Sequence, residues 1–243
     1  MTKLSVNLNK VATLRNTRSV GIPSVVRCAE ICIRAGAHGI TVHPRPDERH
    51  IRKGDVDDLA AALLRLHAEI EFNIEGNPFH GLLEHVERVR PAQCTLVPDE
   101  ASQSTSDHGW DLAKDGARLE PVIRRLRDLG CRSSVFVDAD VDAVVCAHAL
   151  GADRVELYTE PYAAAFVRGE PGLVRFVRAA EKARELGIGV NAGHDLNLQN
   201  LGAFLANVPA VLEVSIGHAL IADALEFGLA ATVAQYLAIV SPR

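Results

Sequence analysis

The sequence predicts a single (β/α)8 barrel, a TIM barrel, that takes in residues 1–243. Short apolar runs alternate with helical patterns along the whole chain, eight of each can be counted, and no linker-like tract separates them. A composition of 48% hydrophobic and 23% charged residues is sufficient for one large core. A doubly wound open sheet is the alternative, but it would need a glycine-rich turn after the first strand, and residues 7–10 (Asn-Leu-Asn-Lys) contain no glycine.

The strands are predicted where runs of apolar and β-branched residues are too short to form a helix. They are residues 4–9, 39–43, 70–75, 93–98, 133–138, 154–158, 189–191 and 212–216. The helices are predicted in the longer segments between them, where apolar residues recur at helical spacing. They are residues 24–35, 55–68, 81–90, 120–129, 141–150, 173–186, 198–206 and 219–240.

Residues at the element ends support these boundaries. Four predicted helices end directly before a glycine, which supplies a left-handed C-terminal cap. These glycines are Gly36, Gly130, Gly151 and Gly187. The longest connection covers residues 99–114. Loops of this length are often lids over a site, although a flexible insertion would have the same sequence character.

Charge and composition argue against several classes of function. A formal net charge of −5 and a pI near 6.1 argue against nucleic acid as the main partner, although local arginines can still bind a phosphorylated small molecule. The amino terminus lacks the apolar stretch of a signal peptide, and no run is long enough to cross a bilayer. The 5 cysteines are scattered, and Cys28 and Cys32 are expected to be buried small hydrophobes. We therefore expect a reduced, cytoplasmic protein with no membrane contact.

The most informative segment is the loop that follows the second predicted strand. The apolar run Ile40, Thr41, Val42 leads directly into a loop that carries His43, Arg45 and further charged residues up to His50. Arginine suits a phosphate or carboxylate, and histidine can transfer protons near neutral pH. A solvated, salt-bridged loop would look the same in this segment alone, so the interpretation depends on whether the pattern recurs.

The pattern recurs at nearly every predicted strand end. The polar side chains are Asn7, Asn9, Lys10, Arg15 and Arg18 at strand one, His43 and Arg45 at two, Glu75 at three, Asp99 at four, Asp138 at five, Glu156 at six, His194 at seven and His218 at eight. Barrel strands are covered by helices outside and packed inside, so polar strand residues do not simply face solvent. Asp138 or Glu156 alone would indicate a structural ion pair, but the whole set predicts one convergent site.

Two glycine–histidine pairs indicate where phosphate binds. Gly193-His194 and Gly217-His218 follow strands seven and eight, where barrels commonly bind phosphate through backbone N–H groups and a helix amino terminus. The rival interpretation of these strand ends is a zinc site. Its ligands would be His43, Glu75, His194 and His218. Barrel metallohydrolases place a histidine pair on strand one, where this chain has asparagines, so proton transfer is preferred and no metal is expected.

Four segments are specific in combination and together resemble the pyridoxine 5′-phosphate synthases over essentially the whole chain. They are residues 7–16 (NLNKVATLRN), 39–51, 191–194 (NAGH) and 216–218 (IGH). The resemblance implies a TIM barrel, usually an octamer built from dimers, that uses no metal or organic cofactor. It also implies two phosphorylated small-molecule substrates, 1-deoxy-D-xylulose 5-phosphate and 3-amino-2-oxopropyl phosphate, which condense to pyridoxine 5′-phosphate, phosphate and water. Such chemistry needs several acid–base groups and two anion sites in one pocket.

The resemblance also implies a role for each site residue. His43 and Glu75 would be proton acceptors, His194 a proton donor, and Glu156 would stabilise a transition state or intermediate. The amino-ketone phosphate would contact Asn7, Arg18, Gly217, His218 and the backbone of Asp195. The deoxyxylulose phosphate would contact Asn9, Lys10, Arg45, His50 and Thr105.

Two positions depart from the family pattern. Many members carry Asp-His where this chain has Asn9-Lys10, which keeps a polar contact to a sugar phosphate but removes any proton-shuttling role there. Asp195 stands where glycine is common, and its negative charge would weaken phosphate binding nearby. Two other classes stay open: a metal-dependent carbon–carbon lyase on the same fold, and a non-catalytic phosphosugar-binding barrel, which predicts loss of the acid–base residues.

Overall fold

Eight parallel strands close into a barrel in sequence order in the computed structural model, which describes residues 1–66, 69–99, 103, 106–170 and 172–241. The strands are β1 (Lys3–Asn7), β2 (Gly39–Val42), β3 (Glu71–Gly76), β4 (Gln93–Leu96), β5 (Arg132–Val137), β6 (Arg154–Leu157), β7 (Gly189–His194) and β8 (Val211–Ile216). Closure is made by β1 and β8, which pair in register from Lys3 with Glu213 to Val6 with Ile216. The predicted (β/α)8 fold is confirmed.

Eleven α-helices accompany the strands within the described ranges. They are α1 (Asn9–Asn16), α2 (Val25–Arg34), α3 (Lys53–Leu66), α4 (Leu83–Val89), α5 (Leu112–Asp128), α6 (Val141–Ala149), α7 (Glu160–Val167), α8 (Val174–Leu186), α9 (Leu201–Asn207), α10 (His218–Phe227) and α11 (Leu229–Val240). Side-chain caps start several of them: the Ser24 hydroxyl accepts a hydrogen bond from the Arg27 backbone N–H at 3.2 Å, and Asp140 caps α6 in the same way.

The structure contains two helices that the sequence pattern did not predict, α1 and α7. Asn9 was wrongly placed in the first strand and in fact begins α1. This helix has no acidic residue in its first turn and no side-chain cap, so the usual local signals are missing. Burial of Val11 and Ala12 and an ion pair between Arg15 and Asp55 hold it in place instead. Tertiary contacts, not propensity, therefore decide this segment.

Several predicted boundaries were also wrong. Helix α5 begins at Leu112, eight residues earlier than predicted, and carries Pro121 inside it, although proline is more typical of a first turn. The last predicted helix is divided at Gly228, whose φ of +81° cannot continue a right-handed helix. An irregular turn, Pro78–Leu82, precedes α4. Strand β7 runs on to His194, so this histidine is held by the sheet itself.

Polar side chains fill the barrel interior and hydrogen-bond to one another. The hydroxyls of Ser5 and Thr41 lie 2.7 Å apart, Asn73 Nδ2 donates to the Thr41 hydroxyl at 3.3 Å, and the Thr95 hydroxyl donates to Asn73 Oδ1 at 3.1 Å. The alternate residues of the same strands, such as Leu4, are fully buried on the outer face beneath the helices. The apolar core therefore forms a layer between sheet and helices, and the barrel axis is polar.

Charged pairs occupy the amino-terminal end of the barrel. Arg154 Nη1 lies 3.3 Å from Glu213 Oε2, and Arg132 forms an ion pair with Glu71. Glu71, Arg132 and Arg154 each stand first in their strand, so these pairs mark the end opposite to the strand-end residues predicted to form the site. Charges at this end compensate one another within the barrel wall.

All five cysteines are free. Cys32 is fully buried and Cys28 half-buried, in agreement with the predicted role of both as small hydrophobes. Burial raises the pKa of the Cys32 thiol to about 12, so it is unreactive near neutral pH. Among the described residues, no helix is both long enough and apolar enough to cross a bilayer.

Candidate active site

A cavity of about 450 Å³ opens at the carboxyl ends of the strands, and each strand or the loop after it contributes to the wall. Sequence-predicted residues in this wall are Asn7, Asn9, Lys10, His43, Arg45, His50, Glu75, Asp99, Glu156, His194, Asp195, Gly217 and His218. The volume is typical of a small-molecule site. One space therefore brings these residues together, as expected for strand ends that meet on one face of a barrel.

Other predicted residues lie elsewhere. Arg18 is exposed in the turn after α1 and is not part of the cavity wall. Thr105 lies outside the described residues. Arg15, one of the strand-end residues, is buried in its ion pair with Asp55, and the Asp138 carboxylate accepts a hydrogen bond from the Gly109 backbone N–H at 3.3 Å. These contacts are structural, and they explain why Arg15 and Asp138 stand at strand ends without a role in the site.

Glu75, near the end of β3, contacts residues of β1, of α1 and of the loop after β2. Its Oε1 accepts hydrogen bonds from Asn7 Nδ2 at 2.9 Å and from Asn9 Nδ2 at 3.5 Å, and it lies 3.7 Å from His43 Nδ1. Burial raises the pKa of Glu75 to about 7, against the opposing hydrogen bond from Asn7. A carboxyl group with a pKa near neutrality can both accept and return a proton.

Two neutral histidines follow β2. Burial, and then the neighbouring charges of His50 and Arg45, hold the pKa of His43 well below its usual value. Burial, followed by Arg45 and Lys10, lowers the pKa of His50 to about 4. The Ile51 backbone N–H donates to His50 Nδ1 at 2.9 Å, which leaves the proton of the neutral ring on Nε2. His43 can thus accept a proton, whereas His50 can donate a hydrogen bond to an anion.

Arg45 joins the loop after β2 to the loop after β4. Its buried guanidinium forms an ion pair with Asp99 and donates to the backbone carbonyl of Gln103. Asp99 also accepts a hydrogen bond from the Ser106 hydroxyl at 2.8 Å, and Arg49 Nη1 donates to the Gln103 carbonyl at 2.8 Å. These contacts fasten Gln103 and Ser106, in the described part of the predicted 99–114 lid, to the rim of the cavity.

Glu156 is another buried carboxyl group of the wall. Within the described residues its Oε2 has no hydrogen-bond partner. Burial, together with the nearby charges of Glu75 and Glu213, raises its pKa well above the usual value, so the group is neutral. A Cβ on the neighbouring Gly193 would lie 3.2 Å from Glu156 Oε1 and 2.4 Å from the Ser215 carbonyl, so only glycine fits there. A neutral carboxyl group in this position can donate a hydrogen bond to a developing negative charge.

His194, the last residue of β7, faces the cavity from the opposite side. Its Nδ1 lies 2.8 Å from Asp195 Oδ2, and its ring packs against Tyr158 and Phe136 at centroid distances of 5.6 and 6.4 Å. Burial lowers the pKa of His194, but the hydrogen bond and charge of Asp195, with the charges of Glu75 and Asp99, outweigh it and the pKa is raised. The raised pKa favours the protonated form of His194, and a protonated imidazole can donate a proton.

Gly217 and His218 form the amino terminus of α10. No side chain caps the first turn of this helix, which leaves its backbone N–H groups available to an anion. A Cβ on Gly217 would lie 3.1 Å from the Cβ of Asn7, so a larger residue here would crowd Asn7. With His218 and Asn7 in the same wall, this end of the cavity suits a phosphate group.

Sequence reasoning did not assign a role to several wall residues. They are Val97, Asp99, Ser106, Phe136, Tyr158, Glu160 and Ser215. Tyr158 could have been found, because it follows Glu156 by two positions and so faces the same side of the sheet. Nothing in the sequence indicates that Asp99 pairs with Arg45, since the two are distant in the chain and meet only through the fold.

The zinc site considered from sequence has no counterpart in the described ranges, where no three histidine, cysteine, aspartate or glutamate side chains are arranged to hold a metal ion. His43, Glu75, His194 and His218 do line one cavity. Among the described residues, Glu75 contacts His43, Asn7 and Asn9, and His194 contacts Asp195.

The chain is similar to proteins of one family over nearly its whole length. Residues 4–242 match the family model described as "Pyridoxal phosphate biosynthesis protein PdxJ". The chain is 60% identical over 243 residues to pyridoxine 5′-phosphate synthase from Albidiferax ferrireducens, which covers 97% of this chain and 96% of that protein. It is 57% identical over 249 residues to the protein of the same name from Xanthomonas campestris pv. campestris, with 99% and 96% covered.

Solved structures of lower identity share the architecture. Thiamine phosphate pyrophosphorylase from Pyrococcus furiosus superposes with a TM-score of 0.64 at 13% identity and covers 98% of this chain and 95% of that chain. Phosphoribosyl anthranilate isomerase from Thermotoga maritima superposes with a TM-score of 0.62 at 12% identity, with 99% and 98% covered. At such identity these likenesses show the barrel fold alone.

Proposed function

The chain belongs to the family of the pyridoxal phosphate biosynthesis protein PdxJ, and from that premise and its cavity we infer that it is a pyridoxine 5′-phosphate synthase. It condenses 1-deoxy-D-xylulose 5-phosphate with 3-amino-2-oxopropyl phosphate to pyridoxine 5′-phosphate, one phosphate and two molecules of water, a step of vitamin B6 biosynthesis. One observation carries the proposal: a proton-accepting pair, Glu75 and His43 at 3.7 Å, and a proton donor, His194, line the same cavity. A ring-forming condensation needs proton removal and proton delivery in one place.

The two proton acceptors, His43 and Glu75, remove protons that are bound to carbon and nitrogen. When the amine of one substrate attacks the ketone of the other, nitrogen must lose protons and the departing oxygen must gain them to leave as water. His43 is neutral and Glu75 has a pKa of about 7, so both can take up protons at neutral pH. Asn9 places them, since its Oδ1 accepts from the His43 backbone N–H at 2.9 Å while its Nδ2 reaches Glu75.

The opposite wall of the cavity, with His194 and Glu156, supplies protons and hydrogen bonds to oxygen atoms. His194 carries the proton for the departing hydroxyl group, and the neutral Glu156 carboxyl group stabilises negative charge that develops on a carbonyl oxygen. Both groups come from adjacent strands, β6 and β7, and so keep a fixed relation to each other. Loss of inorganic phosphate and the aldol-type ring closure use the same acceptors and donors in turn.

Two anion sites in the cavity hold the phosphate groups of the two substrates. We assign the phosphate of the amino-ketone to Asn7, Gly217, His218 and the backbone of Asp195. The deoxyxylulose phosphate is assigned to Asn9, Lys10, Arg45 and His50, with Arg18 and Thr105 kept as predicted contacts to the first and second substrates. Support comes from the uncapped amino terminus of α10 on one side and the Nε2–H of His50 on the other.

We also propose that the chain assembles as a homo-oligomer, an octamer by family resemblance, in the cytoplasm. Large apolar side chains are exposed on two neighbouring segments, with Leu14 on α1, Val20 and Ile22 in the loop after it, and Leu225 and Phe227 on α10. Exposed apolar groups of this kind are favourable at a subunit interface. The free thiols suit a reducing compartment.

The test is to incubate purified protein with both phosphorylated substrates and to follow pyridoxine 5′-phosphate by mass spectrometry. Product is expected with both substrates together and with neither alone. Absence of product under conditions in which the protein is folded would contradict the proposal, as would a carbon–carbon cleavage product from either substrate.

A further inference from the structure

The side chain of Asp195 has no part in the function proposed above, which uses only the backbone at this position. We propose that Asp195 is a positioning residue: its carboxylate holds His194 through Nδ1, so that the imidazole presents Nε2 to the reacting substrates as a proton donor. The catalytic part of this inference rests on the proposed function. The pairing itself can be tested without substrates.

Geometry supports the pairing. His194 Nδ1 and Asp195 Oδ2 lie 2.8 Å apart, the distance of a charge-assisted hydrogen bond. The backbone of His194 is left-handed, with φ of +53°, a conformation that non-glycine residues seldom adopt. The backbone before it is fixed as well, because Gly193 packs directly against the Ser215 carbonyl. With the main chain so constrained, side-chain contacts decide where the ring points.

Two kinds of contact orient the ring, namely packing against aromatic side chains and the charged hydrogen bond with Asp195. The rings of Tyr158 and Phe136 pack against the imidazole and against each other, and so restrict its rotation. Neither ring distinguishes one imidazole nitrogen from the other, whereas the Asp195 carboxylate accepts a hydrogen bond from one nitrogen only. Because the Nδ1 proton is held by Asp195, the proton on Nε2 is the one that leaves, and the donor has a defined direction.

The surrounding charges favour a cationic ring. The titratable groups around the pair are Glu75 from β3, Asp99 after β4, Glu156 and Tyr158 from β6, and His218 at the start of α10. Burial opposes protonation of His194, and Asp195 makes the largest opposing contribution, so the pKa of His194 lies above its usual value. In turn, the hydrogen bond from His194 lowers the pKa of Asp195. A raised pKa for His194 and a lowered pKa for Asp195 both favour the charged forms, and the two residues therefore form an imidazolium–carboxylate pair.

This pairing also resolves the departure noted in the sequence. An unpaired carboxylate at position 195 would repel a phosphate bound at Gly217 and His218. In the structure its charge is compensated by His194, and the position therefore carries little net charge toward the anion site. The aspartate thus supports the proton donor without the expected cost to phosphate binding.

The pairing is tested by NMR titration of the histidine ring carbons in the ligand-free protein, with His194→Gln to assign the signal. The variants are Asp195→Asn, which keeps an oxygen acceptor but removes the charge, and Asp195→Ala, which removes both. The matched control is Asp107→Asn, because Asp107 forms an exposed pair of the same type with His108. We expect the midpoint of His194 to fall in Asp195→Asn, to fall further in Asp195→Ala and to stay in place in the control. A midpoint unchanged in both Asp195 variants would overturn the proposal.

The catalytic consequence is tested by the pH profile of kcat. A donor must be protonated, so its activity is lost as pH rises through its pKa, and a lower pKa moves this alkaline limb to lower pH. Asp195→Ala is expected to show kcat lower by roughly three- to tenfold on the alkaline side and close to the parent on the acid side, with little change in KM. An equal loss at every pH, or a change confined to the KM of the amino-ketone phosphate, would overturn the positioning role. Absence of product from the parent protein would refute the proposed function and leave the titration result intact.

Discussion

Glu75→Gln is the substitution that separates chemistry from architecture most clearly. Glutamine keeps the shape of the side chain and an oxygen that can still accept from Asn7, so the wall of the cavity is retained. It removes the group whose pKa of about 7 makes it a proton acceptor at neutral pH. Positioned general bases typically contribute about 10²–10⁴ in rate, and we expect kcat to fall by that amount while both substrates bind with unchanged KM.

The stability of Glu75→Gln should rise on the alkaline side although its kcat falls. Misfolding would lower both, so melting curves distinguish loss of the proton acceptor from misfolding. The folded-state pKa of Glu75 is raised from 4.5 to about 7, so the folded protein holds a proton that the unfolded chain releases. Its contribution to stability is full below the unfolded pKa and is lost as pH rises through about 7. Glu75→Gln cannot ionise and should therefore melt at the same temperature as the parent in acid and at a higher temperature on the alkaline side.

The assay measures kcat and both KM values across pH, beside melting curves of the same samples. In the parent, kcat should decline as pH falls through about 7, because the acceptor becomes protonated. Glu84→Gln, an exposed position on α4, serves as the control and should match the parent throughout. Near-parental kcat in Glu75→Gln, or a lower melting temperature on the alkaline side, would refute the role assigned to this residue.

Further predictions concern the loop after β2 and the place of metals. Arg45→Ala should raise the KM for the deoxyxylulose phosphate by roughly one to two orders of magnitude and leave that for the amino-ketone phosphate nearly unchanged. Because Arg45→Ala leaves the buried Asp99 carboxylate without its arginine, the variant should also lose about 3–5 kcal/mol of stability. Adding Asp99→Asn to the same chain should largely restore the stability but not the KM. His43→Ala should lower kcat with little change in either KM, and identical kinetic patterns in the two loop variants would show that the division of roles is wrong. Dialysis against a strong chelator should leave activity intact; turnover lost to the chelator and restored by zinc would favour the lyase.

The barrel could be predicted from sequence because its signal is repeated. All eight strands were identified from short apolar runs, since strands covered on both faces carry that pattern regardless of their partners. Helix α1 was missed because it lacks the usual local start signals, and the ion pair that helps to hold it joins Arg15 to Asp55 in a distant part of the chain. The break at Gly228 was missed because one glycine within an apolar run does not by itself indicate a helix end.

The residues that line the site could be predicted from the sequence, but the contacts between them could not. Polar residues at strand ends, such as His43 and Glu75, could be found because a barrel brings every strand end to one face. The raised pKa of Glu75 could be expected from its place at the end of a buried strand, but its hydrogen bonds with Asn7 and Asn9 could not, because they join segments that are distant in the chain. The exposed position of Arg18 could not be foreseen either, because it depends on where α1 ends and how the chain turns after it.

Release of inorganic phosphate tests the central claim most directly, namely that one cavity joins two phosphorylated substrates and forms the ring. Phosphate and pyridoxine 5′-phosphate are measured in the same samples after the purified protein is mixed with both substrates, or with each alone. We predict equal amounts of the two products, only when both substrates are present. Phosphate released from either substrate alone, or phosphate without pyridoxine 5′-phosphate, would contradict the account.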